Sequence, residues 1–318
     1  MKKAYGVLTL GDAMIAFQPA QTGPLRFVSE FSRKVGGAEL NFAIGCARLG
    51  LNPRWISRLG GDEFGRVIYN FARGEGVDVS SVEFVEGYPT SLYFKEVKED
   101  GSGSSFYYRY KSPITTLTPD EITEELFDNI SIVHLTGVFL AIATSHLAVT
   151  KKVIEIAKKK GIPISFDPNI RLKLWTKEQA STTIRDLLKD VDILLTGVDE
   201  LELLLGDIDQ ESIESYAHTY NIKQIVLKDG ASGSKLYIGN KWFTKEAFDV
   251  QPVDTVGAGD GFDSGFIFAY LNGFTPEESL NFANAVGAMV TTVSGDNEGL
   301  PYLNVVEAYI RQDKIIER

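Results

Sequence analysis

Short apolar runs alternating with helix-length amphipathic segments restrict this fold more than any other feature of the chain. The runs at 132–135, 162–166, 191–195 and 225–227 read as strands, and between them lie segments of helical spacing such as residues 144–160. Thr118 and Glu121 carry a capping-box pattern, which places a helix start ahead of the first run. Strand–helix–strand repetition produces parallel sheets with helices on both faces. An α/β fold is therefore expected, a doubly wound, mostly parallel sheet flanked by helices.

The N-terminal part begins the same way and then departs from it. Residues 5–10 read as a buried strand, residues 36–49 as a helix closed by Gly50, residues 54–59 as a strand, and a second helix runs through Phe71 to glycines at 74 and 76. Interleaved are short strand-like runs at 13–17 and 25–27 around a loop at 18–24. Further runs follow at 82–85, 91–97 and 106–110, the last two joined by a Gly/Ser-rich turn at 99–105. Such a β-rich patch does not fit within a doubly wound sheet. With residues 13–35 it is expected to form a small separate sheet over one end of the core, so that residues 1–318 read as one domain with inserts at approximately 13–35 and 88–113.

Composition bounds the partners. Of 318 residues 44% are hydrophobic, ample for a core, and 32 Lys plus Arg against 43 Asp plus Glu give a net charge of -11. That balance disfavours nucleic acid or an anionic membrane as partner. An anionic small molecule stays open, because charges are screened over roughly 8 Å and a few converging arginines outweigh a distant acidic surface. Cys46, the only cysteine, lies in an apolar helical run and is expected in the core, with no intrachain disulfide. Gly11 and Asp12 end the first apolar run early, which favours a strand over a secretion signal. No window approaches the ~18 apolar residues of a membrane span, so a soluble, cytoplasmic protein is expected.

Candidate chemistry concentrates in Asp254-Thr255-Val256-Gly257-Ala258-Gly259-Asp260, which joins a strand-like segment to an apolar helical run continuing to about Leu271. Gly257 and Gly259 let successive amide N–H groups point at one spot, and the helix dipole adds positive charge there, as a phosphate requires. Asp260 falls in the first helical turn, where a charged carboxylate is favoured and could accept a proton from a hydroxyl. Alone, the run suits an ordinary tight turn equally well. A second glycine turn, Gly36-Gly37, opens the first helix ahead of Asn41 and Ala43, and Gly37 lets a ligand approach the backbone. Asp167-Pro168-Asn169-Ile170-Arg171 follows a strand at the end where open α/β sheets bind ligands, and the forked donors of Arg171 match a carboxylate or cap a neighbouring helix. Strand alternation puts Tyr107 and Arg109 on one face. The run from Lys228 to Gly233 lacks the spacing of a P-loop, and no dinucleotide fingerprint follows the first strand.

Together these motifs resemble the ribokinase-like (PfkB) family of sugar kinases over nearly the whole chain, with the Gly-Ala-Gly-Asp and paired-glycine motifs both intact. The resemblance implies a ribokinase-like fold whose small sheet is a lid over the sugar, and often a homo-oligomer surface. It implies that Asp260 is the catalytic base and that Gly257, Ala258 and Gly259 supply amides to the transferred phosphate. Asp12, Gly37, Asn41, Tyr93, Tyr107, Arg109 and Arg171 would join Asp260 around the substrate. ATP would meet Asn169, Lys228, Gly230, Ser232, Gly233, Gly257 and Gly259, with Asn284 at the adenine. Glu200 would serve Mg²⁺ through water, with Gly197 standing where most members have Asn, and a monovalent cation is a further cofactor left open.

The Tyr-Tyr-Arg run and the Asp-x-Asn-x-Arg run resemble the 2-keto-3-deoxygluconate kinase branch, although Tyr110-Lys111-Ser112-Pro113 replaces the usual small residues after the arginine. The expected reaction is ATP-dependent phosphorylation of a primary hydroxyl of that sugar acid. A fructokinase or other neutral-sugar kinase is the alternative within the class, decided by whether Arg109 and Arg171 face one pocket. Outside the class stands a catalytically silent sugar-binding regulator.

Overall fold

The computed structural model describes residues 5–98, 103–206 and 208–312. Strand β1 (Gly6–Leu10) leads directly into β2 (Met14–Pro19) and β3 (Phe31–Gly36), and α1 (Ala38–Arg48), β4 (Asn52–Gly60) and α2 (Glu63–Gly74) follow. Three strands come next, β5 (Val82–Val85), β6 (Leu92–Val97) and β7 (Gly103–Tyr108). Regular alternation then sets in with β8 (Ile130–Thr136), α3 (Gly137–Ile142), α4 (His146–Lys159), β9 (Ile164–Asp167), α5 (Lys177–Leu188) and β10 (Ile193–Gly197). Helices α6 (Val198–Leu205) and α7 (Gln210–Tyr220) precede β11 (Gln224–Lys228) and the hairpin of β12 (Ser234–Ile238) and β13 (Lys241–Lys245). The chain closes with α8 (Ala258–Leu271), α9 (Pro276–Thr291) and α10 (Leu303–Arg311).

Nine strands form one sheet in the order β13-β12-β11-β10-β9-β8-β1-β4-β5, all running the same way except β12, which is antiparallel to both its neighbours. Alternation along each strand feeds two cores. Val7 of β1 and Ile193 and Leu195 of β10 pack toward α1, α8 and α9, whereas Leu8, Leu10 and Leu194 pack toward the helices of the other face. Both faces are dry, which is why these strands read as unbroken apolar runs. The expected doubly wound sheet is therefore present. Helix α8 lies deepest, buried from Asp260 to Ala269 and packed between α1 and α9. Thr275 and Glu278 cap α9 in both directions with Pro276 in its first turn, an entry the sequence states locally.

The small sheet has four strands in the order β3-β2-β6-β7, with β2 and β6 parallel and the outer pairs antiparallel. Its membership differs from expectation in two places. Leu25–Phe27 is a 3-10 turn rather than a strand, with Phe27 69% exposed, and Phe31–Gly36 pairs with β2 instead. Apolar content at the former marks no burial. Val82–Val85, read with the β-rich patch, pairs in parallel with β4 at the edge of the large sheet, because α2 supplies a crossover that returns it there. The capping pattern at Thr118 and Glu121 forms, but it opens only the turn Pro119–Glu121, since Ile122 is already extended. Residues 246–257, expected to be strand-like at their end, hold no strand. The turn expected at 99–105 falls partly outside the described residues. Among the described residues no helix is long and apolar enough to cross a membrane.

Candidate active site

A cavity of about 780 Å³ opens between the small sheet and the C-terminal ends of the parallel strands. Open α/β sheets place their binding crevice there because loops diverge where the strand order reverses, here beside β1. The small sheet contributes Tyr93, Lys95 and Tyr107, with Arg109 just beyond it. The loops after β9 and β10 contribute Asp167, Asn169, Arg171, Gly197 and Glu200, and the end of β11 contributes Lys228. Thr255 to Gly257, Gly259 and Asp260 line the opposite wall.

Gly257 takes φ 81° at the N-cap of α8, and a Cβ there would lie 1.9 Å from the carbonyl oxygen of Asp296. The left-handed conformation favours glycine and the close approach requires it. Gly257 and Gly259 face the cavity, whereas the Ala258 amide donates to Thr255 at 3.3 Å and closes the turn. Of the three amides expected to hold phosphate, that of Ala258 is therefore shared with the turn.

Asp260 is 8% exposed and still lines the cavity. Asn41 Nδ2 donates to its Oδ2 at 2.8 Å and Asn169 Nδ2 to its Oδ1 at 3.4 Å. Burial pushes its carboxyl up to about 7, against the Asn41 hydrogen bond and the positive charge of Arg171. Helix position alone predicted a carboxylate favoured in its charged form; desolvation outweighs that effect. The result is a group poised to exchange a proton near neutral pH.

Beside it, Lys228 Nζ lies 3.1 Å from Asp167 Oδ2 and 3.0 Å from Asp263 Oδ1. Against its burial, the Lys228 ammonium holds Asp167 below its ordinary value, while burial raises Asp263 well above. Glu200 accepts hydrogen bonds from the amides of Ile170 and Gly197, and burial, then Asp167, raises its carboxyl. On the substrate side, Arg109 Nε donates to Asp12 Oδ2 at 2.9 Å, with Ser112 on the same oxygen. Asp12 is buried outside the cavity and acts on it by fixing Arg109. Tyr93 is 3% exposed and its hydroxyl donates to Asp296 Oδ2 at 2.7 Å. Tyr107 stacks obliquely on Tyr93, 5.4 Å between rings, and Lys173 lies 5.9 Å from the Tyr107 ring centroid. Gly37, with φ 145°, abuts the Asp12 carbonyl and borders the cavity.

Four residues expected to meet ATP are not among those lining this cavity. Gly230 and Ser232 lie on an exposed turn past Lys228 that ends at the buried Gly233, and Asn284 Nδ2 donates to the carbonyls of Lys245 and Glu246. Gly233 packs against that same 245–247 stretch, so the four make a cluster flanking the cavity rather than lining it. Sequence reading missed Lys95, Asp263, Asp296 and Asn297. A lysine at an inward strand position, and the polar Gly-Asp-Asn-Glu-Gly run after α9, were the available signals.

A glycine turn beside a buried carboxyl raised to about 7, at the mouth of a doubly wound sheet, is equipment for moving a phosphoryl group to a hydroxyl. The family model for pfkB family carbohydrate kinase matches residues 6–303, and the chain belongs to this family. It is an ATP-dependent carbohydrate kinase. It is 36% identical over 299 residues to the 2-dehydro-3-deoxygluconokinase of Thermoproteus tenax, covering 93% of this chain and 91% of the relative. The Bacillus subtilis (strain 168) 2-dehydro-3-deoxygluconokinase is 34% identical over 314 residues, 98% of this chain and 97% of its own. Fructokinase-1 of Zea mays is 34% identical over 312 residues, 93% and 94% covered. Among solved structures, the PfkB protein of Polaromonas sp. JS666 superposes with TM-score 0.88 at 33% identity, covering 96% of this chain and all of that one. A candidate ribokinase II of E. coli in complex with ATP and Mg²⁺ gives 0.90 at 26% identity, with 97% and 99% covered.

The E. coli structure holds ATP and Mg²⁺, and the residues at the corresponding end of this sheet bear on whether the same pair would fit here. Among the described residues no group of three or more His, Cys, Asp and Glu could hold a metal alone. The donor set, with Asp167 and Glu200 close together on the cavity wall, fits magnesium that arrives on the triphosphate and keeps its water ligands.

Proposed function

We propose that the acceptor is 2-keto-3-deoxygluconate and that its primary hydroxyl receives the γ-phosphoryl group of ATP. The observation that carries this reading is that Arg109 and Arg171 both face the cavity floored by Asp260. Two guanidinium groups over one acceptor site suit a carboxylate better than a neutral sugar. In the reaction the hydroxyl oxygen attacks the γ-phosphorus in line while the bond to the ADP oxygen breaks. Its proton passes to the Asp260 carboxylate, leaving ADP and the phosphorylated acid. Asn41 and Asn169 aim that carboxylate, the Gly257 and Gly259 amides and Lys228 take charge on the phosphate, and Gly37 and Tyr107 shape the sugar pocket. Asp167 and Glu200 would hold, through water, a magnesium ion bound to the triphosphate, which would shield the phosphate charge. Gly230, Ser232 and Gly233 border the nucleotide, and Asn284 acts through the carbonyls it holds.

A cytoplasmic homo-oligomer joined through the outer face of the small sheet belongs to the same proposal, because Phe106 and Tyr108 are exposed there. Use of a monovalent cation by the wild type would appear as stimulation by potassium chloride in the salt series below. A coupled assay of ATP turnover over ketodeoxygluconate, fructose, ribose and nucleosides tests the acceptor. The highest kcat/KM is expected with ketodeoxygluconate. Preference for fructose would replace this reading with the neutral-sugar one, and binding without turnover would mark a silent regulator.

A further inference from the structure

Strand β6 turns alternate side chains inward, and two of them, Tyr93 and Lys95, are nearly buried. A lysine in such a place is tolerated only when its charge is matched. Lys95 Nζ lies 3.2 Å from Asp254 Oδ2 and 3.1 Å from Asp296 Oδ1, while Tyr93 holds the other Asp296 oxygen. Both carboxylates flank the phosphate-facing turn. Asp254 accepts from the amides of Val256 and Gly295, and the Asp296 backbone carbonyl packs against Gly257. The next residue, Asn297, donates to Val35 of β3 and to Asn41 Oδ1, and Asn41 in turn donates to Asp260. Lys34 of β3 donates to the Ser294 carbonyl. Residues 294–297 thus form a hub gripped by the small sheet on one side and touching the turn and the base on the other. Burial disfavours the Lys95 ammonium, but Asp296 and Asp254 outweigh it and raise its pKa, so the charge persists at neutral pH.

We propose that Lys95 is a positioning residue for phosphoryl transfer, a counter-cation built into the small sheet that locks Asp254 and Asp296 around the Gly257 turn. This rests on the kinase reading above. Without the ammonium, two carboxylates face each other behind a turn that must receive an anion, and their repulsion opens it. The defect falls on the chemical step rather than on sugar affinity.

The test is steady-state kinetics of the full chain carrying Lys95→Met, Lys95→Ala or Lys95→Arg, with melting curves for each. Lys95→Met is expected to lower kcat at least about tenfold with the sugar KM within about threefold, and Lys95→Arg to keep most of kcat. In Lys95→Ala the vacated space between two carboxylates admits a small cation, so ammonium, ethylammonium or potassium chloride restores activity saturably. The wild type and Lys95→Met do not respond. A Lys95→Met kcat within twofold of wild type, or a folded Lys95→Ala variant deaf to all three salts, overturns the proposal. Should the uncharged variants not fold, Lys95→Met combined with Asp254→Asn decides: recovery of folding and part of kcat supports the charge lock, and no recovery overturns it. A wild type silent with every acceptor would instead sink the kinase reading.

Discussion

Asp260→Asn is expected to abolish turnover and, at alkaline pH, to stabilise the fold. Burial holds the Asp260 carboxyl at about 7 instead of its ordinary 3.8. In the unfolded chain this acid ionises near pH 4, whereas the folded chain keeps its proton until about pH 7. Folded protein therefore binds more protons across that window, and stability falls as pH rises through it. The penalty is absent below about pH 4 and complete above about pH 7. At about 1.4 kcal/mol per pH unit it amounts to roughly 4 kcal/mol at pH 8 and about half that at pH 5.5. Asparagine keeps the volume and cannot ionise, so it escapes the penalty while losing the proton acceptor. Urea unfolding of both proteins without ligand, at pH 8 and pH 5.5, should show the variant more stable by an amount that shrinks toward acid. The coupled assay should show kcat down by about 10²–10⁴. A pH-independent stability difference would refute the buried-carboxyl argument. Turnover within tenfold of wild type would refute Asp260 as base.

Asn41→Ala removes the hydrogen bond that favours the charged form of Asp260, so the acid limb of kcat/KM against pH should move to higher pH, with activity recovering above pH 8. Arg171→Ala, unlike the wild type, should show KM for the sugar acid raised by about 10–100-fold with KM for ATP little changed, as loss of a charge-assisted contact predicts. Its lost positive charge should also shift the same acid limb upward. Gly257→Ala forces a side chain into a left-handed backbone position 1.9 Å from the Asp296 carbonyl. Displacing one amide of the turn should cost about 10²–10³ in kcat, with a lowered melting temperature.

Legibility followed the range of the forces involved. Cys46 lies in the core because the sequence around it is apolar and helical, and the glycine turn before Asp260 forms because glycine takes its positive φ without strain. The exposed aromatic of Leu25–Phe27 shows the limit: hydrophobicity along the chain does not say what lies across from it. Val82–Val85 has the pattern of a strand, but nothing in four residues says which sheet it will join. Nothing local to Asn284 says that its amide will hold the carbonyls of Lys245 and Glu246, 39 and 38 positions back along the chain.

By itself the sequence determined most of the alternating strands and helices, the glycine turn at 257–259 and the identity of the residue beside it, since propensity, capping and φ restrictions act over a few neighbours. Tertiary structure alone decided how that residue ionises, because desolvation depends on everything packed around Asp260. It also decided that Lys95 meets Asp254 and Asp296, 159 and 201 positions away, since a charge finds its partner through space and leaves no periodic trace along the chain.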